Sequence, residues 1–136
     1  MEKCALLFQF EEQKAQRLKK TLSRLGIAVR QVEPEEYSTP LGILAGLPGG
    51  ILFMDKSGAA GKIQEVEPDQ EMLVFSGITR QELDRALDAM RRTGLAGIAL
   101  KAMLTETNCF WNAKQLTREL KREREAMCRQ MGITND

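Results

Sequence analysis

Ala5-Leu6-Leu7-Phe8 and Leu73-Val74-Phe75 are unbroken apolar runs, and both have the length of a strand rather than of a buried helix. A strand apolar on both faces must be covered on both faces, which calls for a sheet enclosed between two other layers. Each run also leads straight into helix signals. After the first, Ala15, Leu18, Leu22 and Leu25 fall on one face among Lys14, Arg17, Lys19, Lys20 and Arg24. Gly26 then supplies a left-handed cap, with Ile27 placed for the accompanying apolar contact. After the second, Thr79 and Glu82 make an S/T-x-x-E capping box, stapled by Ile78 and Leu83. Leu83, Ala86, Leu87 and Met90 form the buried stripe, and Gly94 with Leu95 repeats the cap.

The strands that close the two units are Val29–Val32, an exposed edge ended by Pro34, and Ile98–Leu100. Phe8 and Phe75 are 67 positions apart and Gly26 and Gly94 are 68 apart, so the halves superpose with a one-residue slip and read as an internal repeat. Between them, Thr39-Pro40 starts a short helix that Gly46 ends, and Ile51–Met54 is a further strand candidate. The acidic stretch from Glu65 to Glu71 reads as a solvated connection. A last helix begins near Asn112, where Asn112 and Gln115 form a variant capping box and Trp111 staples to Leu116. Leu116, Leu120, Met127 and Met131 mark its apolar stripe.

These elements predict one α/β domain over residues 1–136. It comprises a first βαβ half (1–34), an irregular connection (35–71), a second half (72–104) and a C-terminal loop and helix (105–136). Right-handed crossovers would set the two central strands side by side and parallel. The expected sheet is mainly parallel, of four or five strands in the order 2-1-3-4, with a ferredoxin-like α+β sandwich as the alternative.

Composition narrows the function. The chain has no histidine, which removes the commonest general base, the usual activator of Ser and Cys nucleophiles, and the usual zinc ligand. A net charge of +1 exerts no general pull on nucleic acid or anionic membrane. The start of the chain does not resemble a signal peptide, no apolar run reaches the length of a membrane span, and three widely spaced cysteines suit reduced thiols. The expected location is the cytoplasm.

Leu73-Val74-Phe75-Ser76-Gly77, then Lys101-Ala102-Met103-Leu104-Thr105, then Asn108 and Trp111 ahead of a charged helix form an unusual string. On these residues the segment 72–124 resembles a bacterial family described as domain of unknown function 3783. The resemblance implies a small bacterial intracellular protein and carries over no catalytic residue or ligand. The first half lies outside it.

The sharpest site candidate is Ser76 and Gly77 with Lys101, Thr105 and Asn108. Ligands of open α/β sheets sit beyond the carboxyl ends of strands, and a helix opening at Thr79 would favour an anion. The competing reading is that Thr79 is only a cap and that Thr105 and Asn108 hold a polar loop. Trp111 is explained as a staple and Cys109 as a buried thiol. Ser57–Lys62 lacks phosphate-loop spacing and reads as a turn. The acidic residues show no metal-site spacing, and the basic residues of the last helix are interleaved with Glu119, Glu123 and Glu125, which argues against a nucleic-acid footprint.

No catalytic residue, metal or cofactor is assigned. The expected function is a non-catalytic interaction or regulatory module, self-associating or binding a protein partner through Ile51–Met54 and the last helix. The alternative is a small-ligand or anion-binding domain using the loops after Phe75 and Leu100.

Overall fold

A computed structural model describes residues 3–46, 63–95 and 97–130. Ile51–Met54 and Ser57–Lys62 lie outside them. Among the described residues, four strands form one sheet in the order β2-β1-β3-β4: β1 (Cys4–Phe8), β2 (Ala28–Gln31), β3 (Met72–Ser76) and β4 (Leu100–Met103). Helix α1 (Glu12–Ser23) joins β1 to β2, and α3 (Arg80–Arg92) joins β3 to β4. A short α2 (Leu41–Leu44) precedes β3, and α4 (Ala113–Gln130) is the last helix. The fold is α/β, with a mainly parallel sheet.

Its central pairing differs from the expectation. β1 pairs with β2 in parallel and β3 with β4 in parallel, but β1 and β3 run antiparallel, with Leu6 opposite Val74 at the middle of the ladder. The handedness rule governs a crossover between parallel neighbours. It therefore fixes β1-α1-β2 and β3-α3-β4 and places no limit on the connection from β2 to β3. The direct pairing within each unit also excludes the ferredoxin-like alternative, whose βαβ units are split by another strand.

That register relates residues 68 apart. Cys4 faces Ser76 and Phe8 faces Met72, so exchanging the two strands returns the same pairs. Gly26 and Gly94 both have positive φ, as do Gln9 and Gly77 in the turns that leave β1 and β3. Phe10 and Ile78, which follow those turns, are both buried. The units diverge after the cap. Cys4 pairs with Ala28, 24 positions on, but Met72 pairs with Leu100, 28 positions on. Four extra residues thus delay the closing strand to Leu100–Met103, later than the expected Ile98–Leu100.

Both sheet faces carry a core. Alternation sends Ala5, Leu7, Leu73 and Phe75 to one face, under Leu18 and Leu22 of α1 and Ala86 and Met90 of α3. Leu6, Phe8, Met72 and Val74 face the other side, under Leu41 and Leu44 of α2 and Ala113 and Leu116 of α4. Ala5 to Phe8 and Met72 to Val74 have no solvent exposure. Burying a large apolar side chain contributes about 1.5–3 kcal/mol, so these two strands are where burial is concentrated.

Pro34 does not merely end β2. It opens a 3-10 turn, Pro34–Glu36, boxed by Glu33 and Glu36. The acidic connection is also more firmly attached than a solvated loop. Glu71 pairs with Lys14 at 2.7 Å, Glu67 with Lys114 at 3.2 Å and Asp69 with Lys121 at 2.6 Å. Val66 N–H donates to the Lys114 carbonyl at 3.2 Å, and Pro68 is buried.

Both expected capping boxes form. Glu82 N–H donates to Thr79 Oγ1 at 3.1 Å while Thr79 N–H donates to Glu82 Oε1 at 2.9 Å. Gln115 N–H donates to Asn112 Oδ1 and Asn112 N–H to Gln115 Oε1, each at 2.9 Å. Thr79→Ala and Asn112→Ala should therefore each lower stability by about 1 kcal/mol, read as a lower urea midpoint with an unchanged slope. An unchanged midpoint would mean that the box contributes nothing measurable.

Candidate functional site

β3 and β4 run in parallel, so their carboxyl ends lie at the same edge of the sheet. Leu104 N–H donates to the Phe75 carbonyl at 2.7 Å, which puts the loop after β4 directly beside Ser76 and Gly77. Four of the five residues singled out by sequence thus gather at one end: Ser76, Gly77, Thr105 and Asn108.

Their polar groups are largely directed inward. Asn108 Oδ1 accepts from Thr105 N–H at 2.7 Å, and Asn108 Nδ2 donates to the Met103 carbonyl at 3.0 Å. Thr105 Oγ1 accepts from Asn108 N–H at 3.0 Å and from Thr107 N–H at 3.3 Å. The two side chains act as a reciprocal brace for the 3-10 turn Asn108–Phe110, the role polar loop residues commonly play. Ser76 is buried at the end of β3 opposite Cys4, and Gly77 takes φ 73° where the chain turns into α3.

Lys101 is separated from this group. It is the second residue of β4, paired with Leu73, and is exposed. Four steps of nearly extended chain, on the order of 13 Å, separate it from Thr105. The expected strand ends at Leu100, whereas β4 runs on to Met103 and takes Lys101 into its ladder.

Electrostatics at the opening of α3 belong to the cap. The Lys3 ammonium and the Thr79 N–H, with the Thr79 hydroxyl in support, hold the Glu82 carboxyl at about 2, below its usual 4.5. At Asp69, the hydrogen bond from Lys121 also lowers the pKa. Cys109 is buried, and its Sγ lies 3.4 Å from the Glu106 carbonyl. Trp111 packs on the second core, and its indole N–H is buried without a partner among the described residues. Also among the described residues, no three His, Cys, Asp or Glu side chains group so as to hold a metal ion, and no helix is long and apolar enough to cross a membrane.

A second feature was missed from sequence. An open groove of about 400 Å³ runs between α1 and α3, with Thr21, Arg24 and Leu25 on one wall and Arg85, Asp88, Ala89, Arg92 and Thr93 on the other. Arg24 and Arg92 are 68 apart, and so are Thr21 and Ala89, and Leu25 and Thr93. Equivalent basic positions at that spacing are the signal that the sequence carries for it.

The β3–α3–β4–α4 run carries the Lys101–Trp111 string and the box that follows it. Residues 71–127 match the family model of a Domain of unknown function (DUF3783). The match covers less than half of the chain. The DUF3783 segment takes in β3, α3 and β4 and most of α4, while β1, α1, β2 and the groove wall on α1 lie outside it. No curated protein and no solved structure matches the chain.

Glu82→Gln keeps a side chain able to complete the box but removes the charge that pairs with Lys3. Because the folded-state pKa is depressed, the stabilisation from that charge is fully present above 4.5 and is lost as pH falls toward 2. Melting temperatures of wild type and Glu82→Gln should therefore differ most above pH 4.5 and converge as pH approaches 2. A constant difference across that window would assign the effect to something other than the ionised carboxylate.

Proposed function

We propose that the chain is a non-catalytic interaction or regulatory module of the bacterial cytoplasm, a single domain built on an internal repeat that associates with a second copy or a protein partner. The observation that carries this reading is the way α4 outruns its own core. Ala113, Leu116 and Thr117 are buried against the sheet, but every residue from Arg122 to Met127 is exposed, and Met127 is 63% exposed. A helix continued past the surface it packs on has its outer turns available to another molecule.

The alternative, an anion-binding domain using the loops after Phe75 and Leu100, draws less support. Thr105 and Asn108 serve their own loop, and Lys101 sits back within the strand.

Light scattering over a range of concentrations tests the first reading. The wild type should gain mass with concentration, and Met127→Glu should stay monomeric with an unchanged melting temperature. Phe53→Lys asks the same of the Ile51–Met54 segment. Wild-type protein that remains monomeric at high concentration would exclude self-association and leave only a hetero-partner.

A further inference from the structure

The groove between α1 and α3 has the makings of a site that neither the loops nor α4 account for. It lies where the two helices meet, and Thr21 and Ala89, 68 positions apart, both line it. The arginine pairs around it are not used alike. Arg17 donates to the Thr93 carbonyl at 2.6 Å, closing the carboxyl end of α3. Its counterpart 68 positions later, Arg85, has no hydrogen bond or ion pair among the described residues, and neither has Arg24. Arg92 is paired with Asp88, which Arg91 also approaches at 3.5 Å.

Two guanidinium groups therefore border the groove without a partner. Helix-end arginines often serve only to complement the helix dipole, and Arg24 and Arg92 stand where that role would put them. Arg85 does not, since it lies in the middle of α3. The second observation is independent of charge. Thr21 is 8% exposed and lines the groove, yet its hydroxyl has no hydrogen-bond partner among the described residues. In contrast, Thr117, equally internal to a helix, bonds back to the Ala113 carbonyl at 2.8 Å. Trp111 Nε1 is the one fully buried side-chain polar atom without a partner among the described residues, so the Thr21 oxygen is open to the groove and free to bond a group held there.

We infer that this groove binds the phosphate group of a small molecule, held by Arg24 and Arg85 and by a hydrogen bond from the Thr21 hydroxyl. Guanidinium forks match phosphate oxygens in pairs, and a hydroxyl supplies the third donor such a group takes well. Three arginines against the single carboxylate of Asp88, itself held by Arg91 and Arg92, leave the lining net positive. A volume near 400 Å³ suits a ligand of nucleotide size rather than a bare ion alone.

Isothermal titration of the full chain with inorganic pyrophosphate, and separately with a nucleoside diphosphate, tests this at fixed ionic strength. Saturable binding of either is expected. Arg85→Gln should weaken it about tenfold or more, the loss of a charge-assisted hydrogen bond. Thr21→Val, which keeps the shape and removes the hydroxyl, should weaken it by a smaller factor with the fold intact by circular dichroism. Lys101→Met should leave it unchanged. Tighter binding of the nucleoside diphosphate than of pyrophosphate would identify the nucleotide as the preferred source of the phosphate. Absence of binding at millimolar concentration, or binding indifferent to both groove variants, would overturn the proposal. So would binding confined to oligonucleotides with a steep salt dependence, which would make the groove a backbone-tracking surface instead.

Discussion

The antiparallel contact of β1 with β3 is the interaction on which everything else in the molecule rests. Each strand is buried on both faces and each is the innermost strand of its own βαβ unit, so neither unit can hide its central strand alone. Joined, the two supply each other's missing ladder, and the backbone groups that would be orphaned in either half are paired along five residues of each strand. The antiparallel sense also brings α1 and α3 to the same face, because each is a right-handed crossover from a strand pointing the opposite way.

The second face then has no helix from either unit. It is closed by whatever the rest of the chain provides: α2 and the turn before it, Tyr37, and the first half of α4. This division explains the ion pairs of the acidic connection. Lys14, on α1, and Lys114 and Lys121, on α4, hold Glu71, Glu67 and Asp69, so the chain is led from one layer to the other along neutralised charge. Exposed pairs of this kind contribute little individually. Their effect is to guide the chain's path, and Pro68 is buried along it.

Local chemistry was legible in the sequence; relative direction was not. The boxes at Thr79 and Asn112, the glycine caps at Gly26 and Gly94 and both apolar central strands were evident, since each depends on residues only a few positions apart. The strand order was also inferred correctly. The polarity of β3 against β1 could not be, because it is set by the long connection between the units, where no handedness rule applies. The position of β4 is likewise not fixed locally. Ile98 and Leu100 look like a strand, but the register with β3 starts at Leu100 and runs on through Met103. That shift moved Lys101 out of the candidate site. Thr105 and Asn108 lie in the loop after β4, and their hydrogen bonds brace that loop. The α1–α3 groove escaped notice because its arginines look like solvated helix faces until the two helices are placed side by side.

The opposed polarity of the two units has a consequence for how such a molecule can change. In an open parallel sheet all the strand ends that commonly build binding sites crowd onto one rim. Here they are shared out: the turn after β1, with Gln9 in the left-handed region, is at the rim opposite the turn after β3, with Gly77. Each rim is half the usual width and is flanked by its own helix start, so a loop can lengthen or a side chain be exchanged at one without crowding the other. The middle of the helical layer is the place where both units meet on equal terms, and a substitution there is felt by the two halves at once.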